Sequence, residues 1–198
     1  MWALVESNNV TQVFTRPIPI TIGDINYPSN IFTMWSKSEL EAIGIYEVVI
    51  DNSNLKDKEY YINTNQSFNF ASGAVTASYG TATAKNIADT LFTAQDETNG
   101  LGIEGEVKAK GLKTIKKENI NKQAGSILQS TDWMVIREAD GGTAIPSNIK
   151  TWRASVRTKA NSMCTQIDNA SDVDALAALY EYDPETNERP LGEFPELS

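Results

Sequence analysis

The feature that most constrains the fold is a change in the spacing of apolar residues near Gly80. Before Gly80 the apolar residues come in short alternating runs, such as Ile18, Ile20 and Ile22, and this period of two is typical of strands. After Gly80 they recur every three or four residues, which is the period of an amphipathic helix. The sequence therefore predicts an α+β fold, with a strand-rich N-terminal part followed by a helical C-terminal part.

Residues 1–80 are predicted to form a strand-rich domain built from hairpins. The polar run 7–9 separates two apolar runs, as in a tight turn, and a last hairpin is predicted around Gly73. One short helix is predicted within this domain, because Ser36 and Glu39 have the spacing of a capping box.

Residues 81–105 are predicted to form a helix and a Gly-rich linker between the two halves. The predicted helix has an apolar stripe made of Ala84, Ile87, Ala88, Leu91 and Phe92. The linker, residues 100–105, matches the G-x-G-x-x-G pattern of dinucleotide-binding loops. That chemistry requires a strand before the motif inside a βαβ unit. Because a helix is predicted there instead, we interpret the glycines as a flexible linker.

Residues 106–182 are predicted to form a helical domain. One helix, with a basic face, is expected over about residues 110–129. A second helix carries the clearest apolar stripe in the sequence, made of Ile149, Trp152, Val156, Ala160, Met163 and Ile167.

The chain beyond this second helix is predicted to turn back on it. Ser171 and Asp174 have capping-box spacing, which predicts a short helix that continues to Tyr180. Two helices joined by so short a connection are expected to form an antiparallel helix hairpin. Residues 183–198 are rich in proline and acidic side chains and are predicted to form an extended acidic tail.

The chain contains no histidine and one cysteine, Cys164. A disulfide within the chain, a cysteine–histidine nucleophile pair and the usual zinc and iron sites are therefore excluded. We interpret Cys164 as a small buried side chain on a helix. The acidic residues Asp168, Asp172 and Asp174 are interpreted as helix-ending and helix-capping groups. We therefore expect no catalytic residue, no cofactor and no metal site, and a protein that is not an enzyme.

Charge is unevenly distributed along the chain, whose net charge is −9. The net charge is −6 over residues 1–102, +5 over residues 103–160 and −8 over residues 161–198. The lysines of the basic segment have no aromatic residues between them, so we interpret them as a solvated helix face and expect no nucleic-acid partner. No apolar run is long enough for a bilayer, and the run before Glu6 is too short for a signal peptide. We therefore expect a cytoplasmic protein without a membrane partner.

Two parts of the sequence resemble known proteins. The segment 130–180 contains Thr131-Asp132-Trp133, Ile145-Pro146, Trp152-Arg153 and Val156-Arg157. This segment resembles the C-terminal part of phage tail-fibre assembly proteins, in which a T-D-W strand start is followed by a proline and a helix with spaced arginines. The opening, from Trp2 through Trp35 to Ile45, is similar to the starts of small tail-associated proteins of marine phages.

The resemblance implies a non-enzymatic accessory of a bacteriophage tail. Its members act in the host cytoplasm as chaperones that bind a larger tail or fibre protein and assist assembly of the tail fibre. The alternative is a permanent structural subunit of the virion tail, baseplate or fibre. The candidate partner-binding residues are Trp133, Trp152, Arg153, Val156 and Arg157.

Two further alternatives concern the same residues. Arg153 and Arg157 are expected to pair either inside the chain, with Asp132, Glu138 or the acidic tail, or with carboxylates of a partner. The apolar stripe beside them could bind a partner or a second copy of the chain. A third hypothesis, an enzyme that acts on host-surface glycan through scattered carboxylates, has no motif to support it.

Overall fold

The computed structural model describes residues 1–197, and the chain divides into two compact units, Met1–Thr83 and Ala84–Ser198. Strands lie mainly in the first unit and the long helices lie in the second, so the predicted α+β class is confirmed. The division falls between Thr83 and Ala84, within a short strand, β9 (Thr83–Ala84). The segment that was predicted as a helix and linker therefore belongs to the second unit, apart from its first three residues.

The first unit is built from short strands with two short helices between them. Its elements are β1 (Trp2–Glu6), β2 (Asn9–Phe14), β3 (Ile20–Ile22), β4 (Ile25–Tyr27), α1 (Ile31–Met34), α2 (Lys37–Ala42), β5 (Ile45–Asp51), β6 (Tyr61–Ile62), β7 (Gln66–Ala71) and β8 (Ala74–Tyr79). The predicted first and last hairpins are β1–β2 and β7–β8. Ser7 and Asn8 both have positive φ angles, of 49° and 63°, which a tight hairpin turn requires.

Five strands form one sheet in the order β2-β1-β5-β8-β7. The neighbours β1 and β2, β1 and β5, and β7 and β8 are antiparallel, whereas β5 and β8 are parallel, with Val48 opposite Val75. The two edge strands, β2 and β7, approach each other. The sheet is therefore curled so that its two edges come close to each other.

Each face of this sheet covers its own apolar core, because successive side chains of a strand point to opposite faces. Ala3 and Val48 belong to the core on one face, together with residues of β7 and β8. Leu4 and Ile45 belong to the core on the other face, which α1 and α2 cover. The first unit thus carries α1 and α2 against one face of the curled sheet.

The predicted capping box at the start of α2 is present. The Ser36 backbone N–H donates to the Glu39 carboxylate at 2.7 Å, and the Glu39 backbone N–H donates to Ser36 Oγ at 3.4 Å. Gly44, just beyond this helix, has a φ of +84°, and a Cβ there would lie 2.8 Å from the Val5 carbonyl oxygen. Only glycine fits that position, because β5 must begin directly against β1.

The second unit is mostly helical. Its elements are β10 (Thr90–Leu91), α3 (Ala94–Thr98), β11 (Val107–Ala109), α4 (Leu112–Gln129), α5 (Asp132–Ala139), α6 (Ser147–Asn169) and α7 (Val173–Ala178). The long helices predicted over 110–129 and 149–167 correspond to α4 and α6. These two helices pack against each other. They run antiparallel, since Lys117 near the start of α4 pairs with Asp168 near the end of α6, whereas Arg153 near the start of α6 reaches Leu128 near the end of α4.

The buried stripe of α6 differs from the predicted stripe at one position. The residues that are buried are Ile149, Arg153, Val156, Ala160, Met163 and Ile167, at spacings of four and three residues. Trp152, which was assigned to the stripe, is only half-buried. Arg153 takes the inward position because its guanidinium finds acceptors at the end of α4, whereas its stem fills the apolar contact.

The helix predicted within residues 81–105 is absent over its apolar stripe, residues 84–92, and only the short α3 is helical in this range. Residues 84–92 contain β10 and irregular backbone, and their carbonyl groups are used elsewhere. The carbonyl oxygens of Asn86 and Ile87 accept the backbone N–H groups of Leu112 and Lys113, and Asp89 Oδ1 accepts the N–H of Gly111 at 2.7 Å. The segment therefore caps the N-terminus of α4, whose first N–H groups have no partner inside their own helix.

Three further sequence-based expectations differ from the structure. The T-D-W segment is the first turn of α5 and not the start of a strand. The N-cap of α7 is Asp172, whose side chain accepts the N–H of Ala175 at 2.8 Å, so Ser171 and Asp174 do not form a capping box. The helix that packs along α6 is α4, so the predicted hairpin of α6 with α7 is replaced by this longer pair.

The predicted acidic tail contains no helix or strand over residues 183–197, and Ser198 lies outside the described residues. The tail nevertheless packs on its own unit. Leu191 is fully buried, and its carbonyl oxygen accepts a hydrogen bond from Lys159 Nζ at 2.9 Å. The Pro195 carbonyl oxygen accepts the indole N–H of Trp152, also at 2.9 Å. The tail therefore runs along α6 in the opposite direction to the helix.

Candidate functional site: the exposed apolar helix α5

The position of α5 is fixed at its first turn by Arg153. The guanidinium of Arg153 donates to the Leu128 carbonyl oxygen at 2.8 Å, to Thr131 Oγ1, and to Asp132 Oδ1 at 2.7 Å. Arg153 and Thr131 are both buried. One arginine of α6 thus holds the end of α4 and the start of α5 together, and a fork of fixed geometry is well suited to that task.

Apart from Met134, which is half-buried, the large apolar side chains of α5 are exposed. None of its eight residues is buried, and the exposed fractions of Trp133 and Ile136 are 54% and 69%. Val135 is exposed as well. We call Trp133 and Ile136, which lie on one face of the helix, the α5 patch. Clustered apolar side chains exposed on one short helix are typical of a surface that binds another protein.

Polar contacts hold the flanks of the α5 patch. The guanidinium of Arg137 lies 4.9 Å from the centre of the Trp133 ring and also donates to the Thr143 carbonyl oxygen at 3.0 Å. Glu138 lies 3.7 Å from Lys150 Nζ of α6. The Trp133 ring is thus held in place by a cation on one face and stays accessible, the arrangement expected of an aromatic anchor at an interface.

The structure does not bring the five candidate partner-binding residues into one exposed surface. Val156 is fully buried against the α4–α6 contact, and Arg153 is engaged inside the unit. Trp152 is half-buried beneath the tail through its hydrogen bond to Pro195. Trp133 and Arg157 are exposed. Of the alternatives for the two arginines, internal pairing with Asp132 holds for Arg153, whereas the side chain of Arg157 has no hydrogen bond or ion pair with any residue in 1–197.

One member of the α5 patch, Ile136, was missed by the sequence analysis. Trp133 and Ile136 are three residues apart, which places them on one face of a helix. That signal was present in the sequence, but the resemblance implied a strand start at T-D-W, where this spacing has no such meaning.

The lysines of α4 are less solvated than the sequence indicated. Lys116 is buried, with its Nζ 4.1 Å from the centre of the Tyr180 ring. Lys117 forms an ion pair with Asp168 at 2.7 Å, and this hydrogen bond raises the pKa of Lys117. Lys113 Nζ donates to the Asp168 carbonyl oxygen at 2.8 Å. Much of the basic face is therefore used to hold α4 against α6 and the chain around Tyr180.

The single cysteine lies on the same contact. Cys164 of α6 is partly buried, with its Sγ 3.9 Å from Asn121 Oδ1 of α4. Burial raises the pKa of this thiol, and the positive charge of Lys117 offsets only part of that effect. A thiol with a raised pKa is mostly protonated near neutral pH and is a poor nucleophile.

No three His, Cys, Asp or Glu side chains of residues 1–197 come close enough together to hold a metal ion. In the same part of the chain, every helix is too short or too polar to span a bilayer.

Comparisons of the chain with protein-family models, with curated proteins and with solved structures gave no significant match.

Proposed function

We propose that this chain is a non-enzymatic binding protein that assists assembly of a larger protein structure by docking the α5 patch on a partner. The observation that carries the proposal is the contrast within α5, whose first turn is held by a buried arginine while most of its large apolar side chains are exposed. An exposed helix face of this kind is recognised by a complementary apolar groove in helix-in-groove binding.

For the identity of the partner we propose a bacteriophage tail or tail-fibre protein, and only the sequence resemblance supports this step. The segment 130–180 supplies the spaced arginines and the proline of that pattern. It departs from the pattern at Thr131-Asp132-Trp133, which begins a helix here. The docking role of α5 does not depend on the phage assignment, so the two parts of the proposal are tested separately.

The docking role is tested with a polar substitution in the α5 patch. Ile136→Asp should abolish co-purification of the chain with its partner, because an isolated carboxylate in an apolar groove carries a large desolvation cost. The matched control is Leu101→Asp, which changes an exposed leucine of the same unit that lies outside α5. Loss of partner binding by both variants, or by neither, would rule out the α5 patch as the docking surface.

The phage role is tested by co-expression with a tail-fibre protein from the same genome. The expected result is a higher yield of soluble trimeric fibre with the intact chain than with Ile136→Asp. An unchanged fibre yield would contradict the assembly role. Mass spectrometry of purified virions then separates a chaperone, which is absent from the particle, from a permanent tail subunit, which is present in fixed copy number.

A further inference from the structure

The first unit contains an aromatic pocket that the docking role of α5 does not use. The pocket lies between β1, α1, α2 and β5 and has a volume of about 220 Å³. It is lined by Trp2, Phe32, Trp35, Lys37, Leu40, Ile45 and Glu47. We call this feature the Trp2–Trp35 pocket. Three of its seven lining residues are aromatic, and two others carry opposite charges.

The aromatic rings of the pocket are held in place by their neighbours. The Trp2 and Phe32 rings are 4.9 Å apart between centroids, and Phe32 is buried. Trp35 lies edge-on to the Tyr27 ring at 5.8 Å, while part of its own surface stays exposed. The rings therefore need little rearrangement when a ligand enters, which lowers the entropic cost of binding.

The charged side chains around the pocket differ in whether they already have a partner. Lys37 lies 3.7 Å from Glu41 on the next turn of α2, and its side chain is 75% exposed. The carboxylate of Glu39 is used by the capping box, and these hydrogen bonds from Ser36 lower its pKa. Glu47 is exposed and makes no side-chain hydrogen bond or ion pair with any residue in 1–197. The charged group left open at the pocket is therefore a carboxylate.

The size of the pocket limits what can occupy it. Sites for drug-sized ligands and cofactors usually have volumes of about 300–1,000 Å³. A volume of about 220 Å³ suits one long side chain rather than a cofactor or an oligosaccharide. The first unit also has an acidic balance, since residues 1–83 contain eight acidic and four basic side chains and thus a net charge of −4.

We propose that the Trp2–Trp35 pocket binds an arginine side chain of a partner protein, with the guanidinium against the aromatic rings and paired with Glu47. A guanidinium is planar, stacks on aromatic faces and is weakly hydrated, so it enters such a site at lower cost than an ammonium. The positive charge of Lys37 repels the bound guanidinium, and the ion pair of Lys37 with Glu41 reduces this repulsion. This site is separate from the α5 patch and does not depend on the proposed docking role.

The test uses the full chain with its tryptophan indoles labelled with ¹⁵N. Titration with N-acetyl-arginine amide should shift the indole signals of Trp2 and Trp35 and leave those of Trp133 and Trp152 in place. The matched ligand is N-acetyl-citrulline amide, which has a similar shape and no charge, and it should bind about tenfold more weakly. Equal binding of the two ligands would overturn the cationic specificity. The absence of shifts at Trp2 and Trp35 would overturn the site itself.

Variants separate the roles of the two charges. Glu47→Gln should weaken binding of N-acetyl-arginine amide about tenfold, whereas Glu6→Gln, at an exposed glutamate of the same sheet, should leave it unchanged. Lys37→Gln should tighten binding severalfold because it removes the opposing charge. Unchanged binding in Glu47→Gln, or weaker binding in Lys37→Gln, would contradict the proposal.

A last variant distinguishes this proposal from the docking role. Ile136→Asp should lose partner binding through α5 and keep the arginine response of Trp2 and Trp35. Failure of the docking experiment thus leaves the pocket experiment interpretable, and the converse also holds.

Discussion

Helices α5 and α6 belong to the same unit, and both carry apolar side chains at helical spacing, but they use them in opposite ways. The stripe of α6 is buried against α4, with Val156, Met163 and Ile167 fully covered. Most of the large apolar side chains of α5 face outward, although the first turn of the helix is fixed by a buried arginine. The difference shows that apolar periodicity identifies a helix and a face, but it does not tell whether that face belongs to a core or to an interface.

Two arginines of α6 also differ in their surroundings although they lie close together in the sequence. Arg153 and Arg157 are one helical turn apart on α6, and the sequence treats them alike. Arg153 is buried with partners on two neighbouring segments, whereas Arg157 is exposed. Residue type therefore says less about role than position on the buried stripe does.

The largest effect is expected for Met163→Ala in the stripe of α6. This change should lower the free energy of unfolding by about 2–5 kcal/mol, because it deletes a fully buried side chain and leaves a cavity. Urea denaturation followed by circular dichroism measures the change. A loss well below 1 kcal/mol would mean that the α4–α6 contact is not a packed core, and the comparison with α5 would fail.

A smaller effect is expected for Arg153→Met. The free energy of unfolding should fall by about 1–3 kcal/mol, because the apolar stem is kept while the Leu128 carbonyl and Thr131 lose their donor. Arg157→Met is the matched control and should change stability by no more than about 0.5 kcal/mol. Equal losses in the two variants, measured by the same urea titration, would show that the two arginines do not differ in role.

The helix α3 offers a third case, a short helix with no buried residue that is held by its cap. Lys108 and the Thr93 cap lower the pKa of Asp96 to about 2. A carboxylate whose pKa is lowered by folding stabilises the folded chain at pH values above its ordinary pKa of 3.8. This contribution is lost as the pH falls from 3.8 toward about 2. Asp96→Asn should therefore destabilise the chain at pH 6 and make little difference near pH 2, as measured by urea midpoints at both values. A midpoint difference that does not depend on pH would rule out this ionic contribution.

The smallest effect on stability is expected for Ile136→Ser in the α5 patch. The free energy of unfolding should change by no more than about 0.5 kcal/mol, because the side chain is already in contact with water. Binding of a hydrophobic dye, or any self-association seen by sedimentation velocity, should decrease in the same variant. A loss of stability comparable to that of Met163→Ala would show that α5 packs against the unit in solution, and the α5 patch would then not be a docking surface.

The sequence predicted the fold class and most of the long elements, because periods of two and of three to four residues mark strands and helices directly. It failed over residues 84–92, where Ile87 and Leu91 happen to have helical spacing. The decisive interactions there are long-range: the carbonyl groups and Asp89 cap a helix that begins more than twenty residues later. Such contacts leave no local pattern.

The candidate site was predicted in part. Trp133 was named, and the pairing of Arg153 with Asp132 was one of the stated alternatives. Trp152 was predicted to lie on the buried stripe because a tryptophan side chain is more hydrophobic than an arginine side chain. Arg153 takes the buried position instead, because hydrogen-bond acceptors at the end of α4 lie opposite it. The location of these acceptors depends on how α4 and α6 pack against each other. The Trp2–Trp35 pocket had no sequence signal, since its lining residues come from four separate elements.

The place of β1 in the sheet has a consequence for synthesis of the chain. This strand lies between β2 and β5, and the remaining strands of the sheet, β7 and β8, follow only after residue 65. On a ribosome that adds about 5–20 residues per second, the β1–β2 hairpin forms early and then stays incomplete for seconds until β5, β7 and β8 emerge. During that interval the apolar side chains of the hairpin lack the residues against which they pack. Nascent chains halted before β7 are therefore expected to recruit general chaperones more strongly than chains halted after β8.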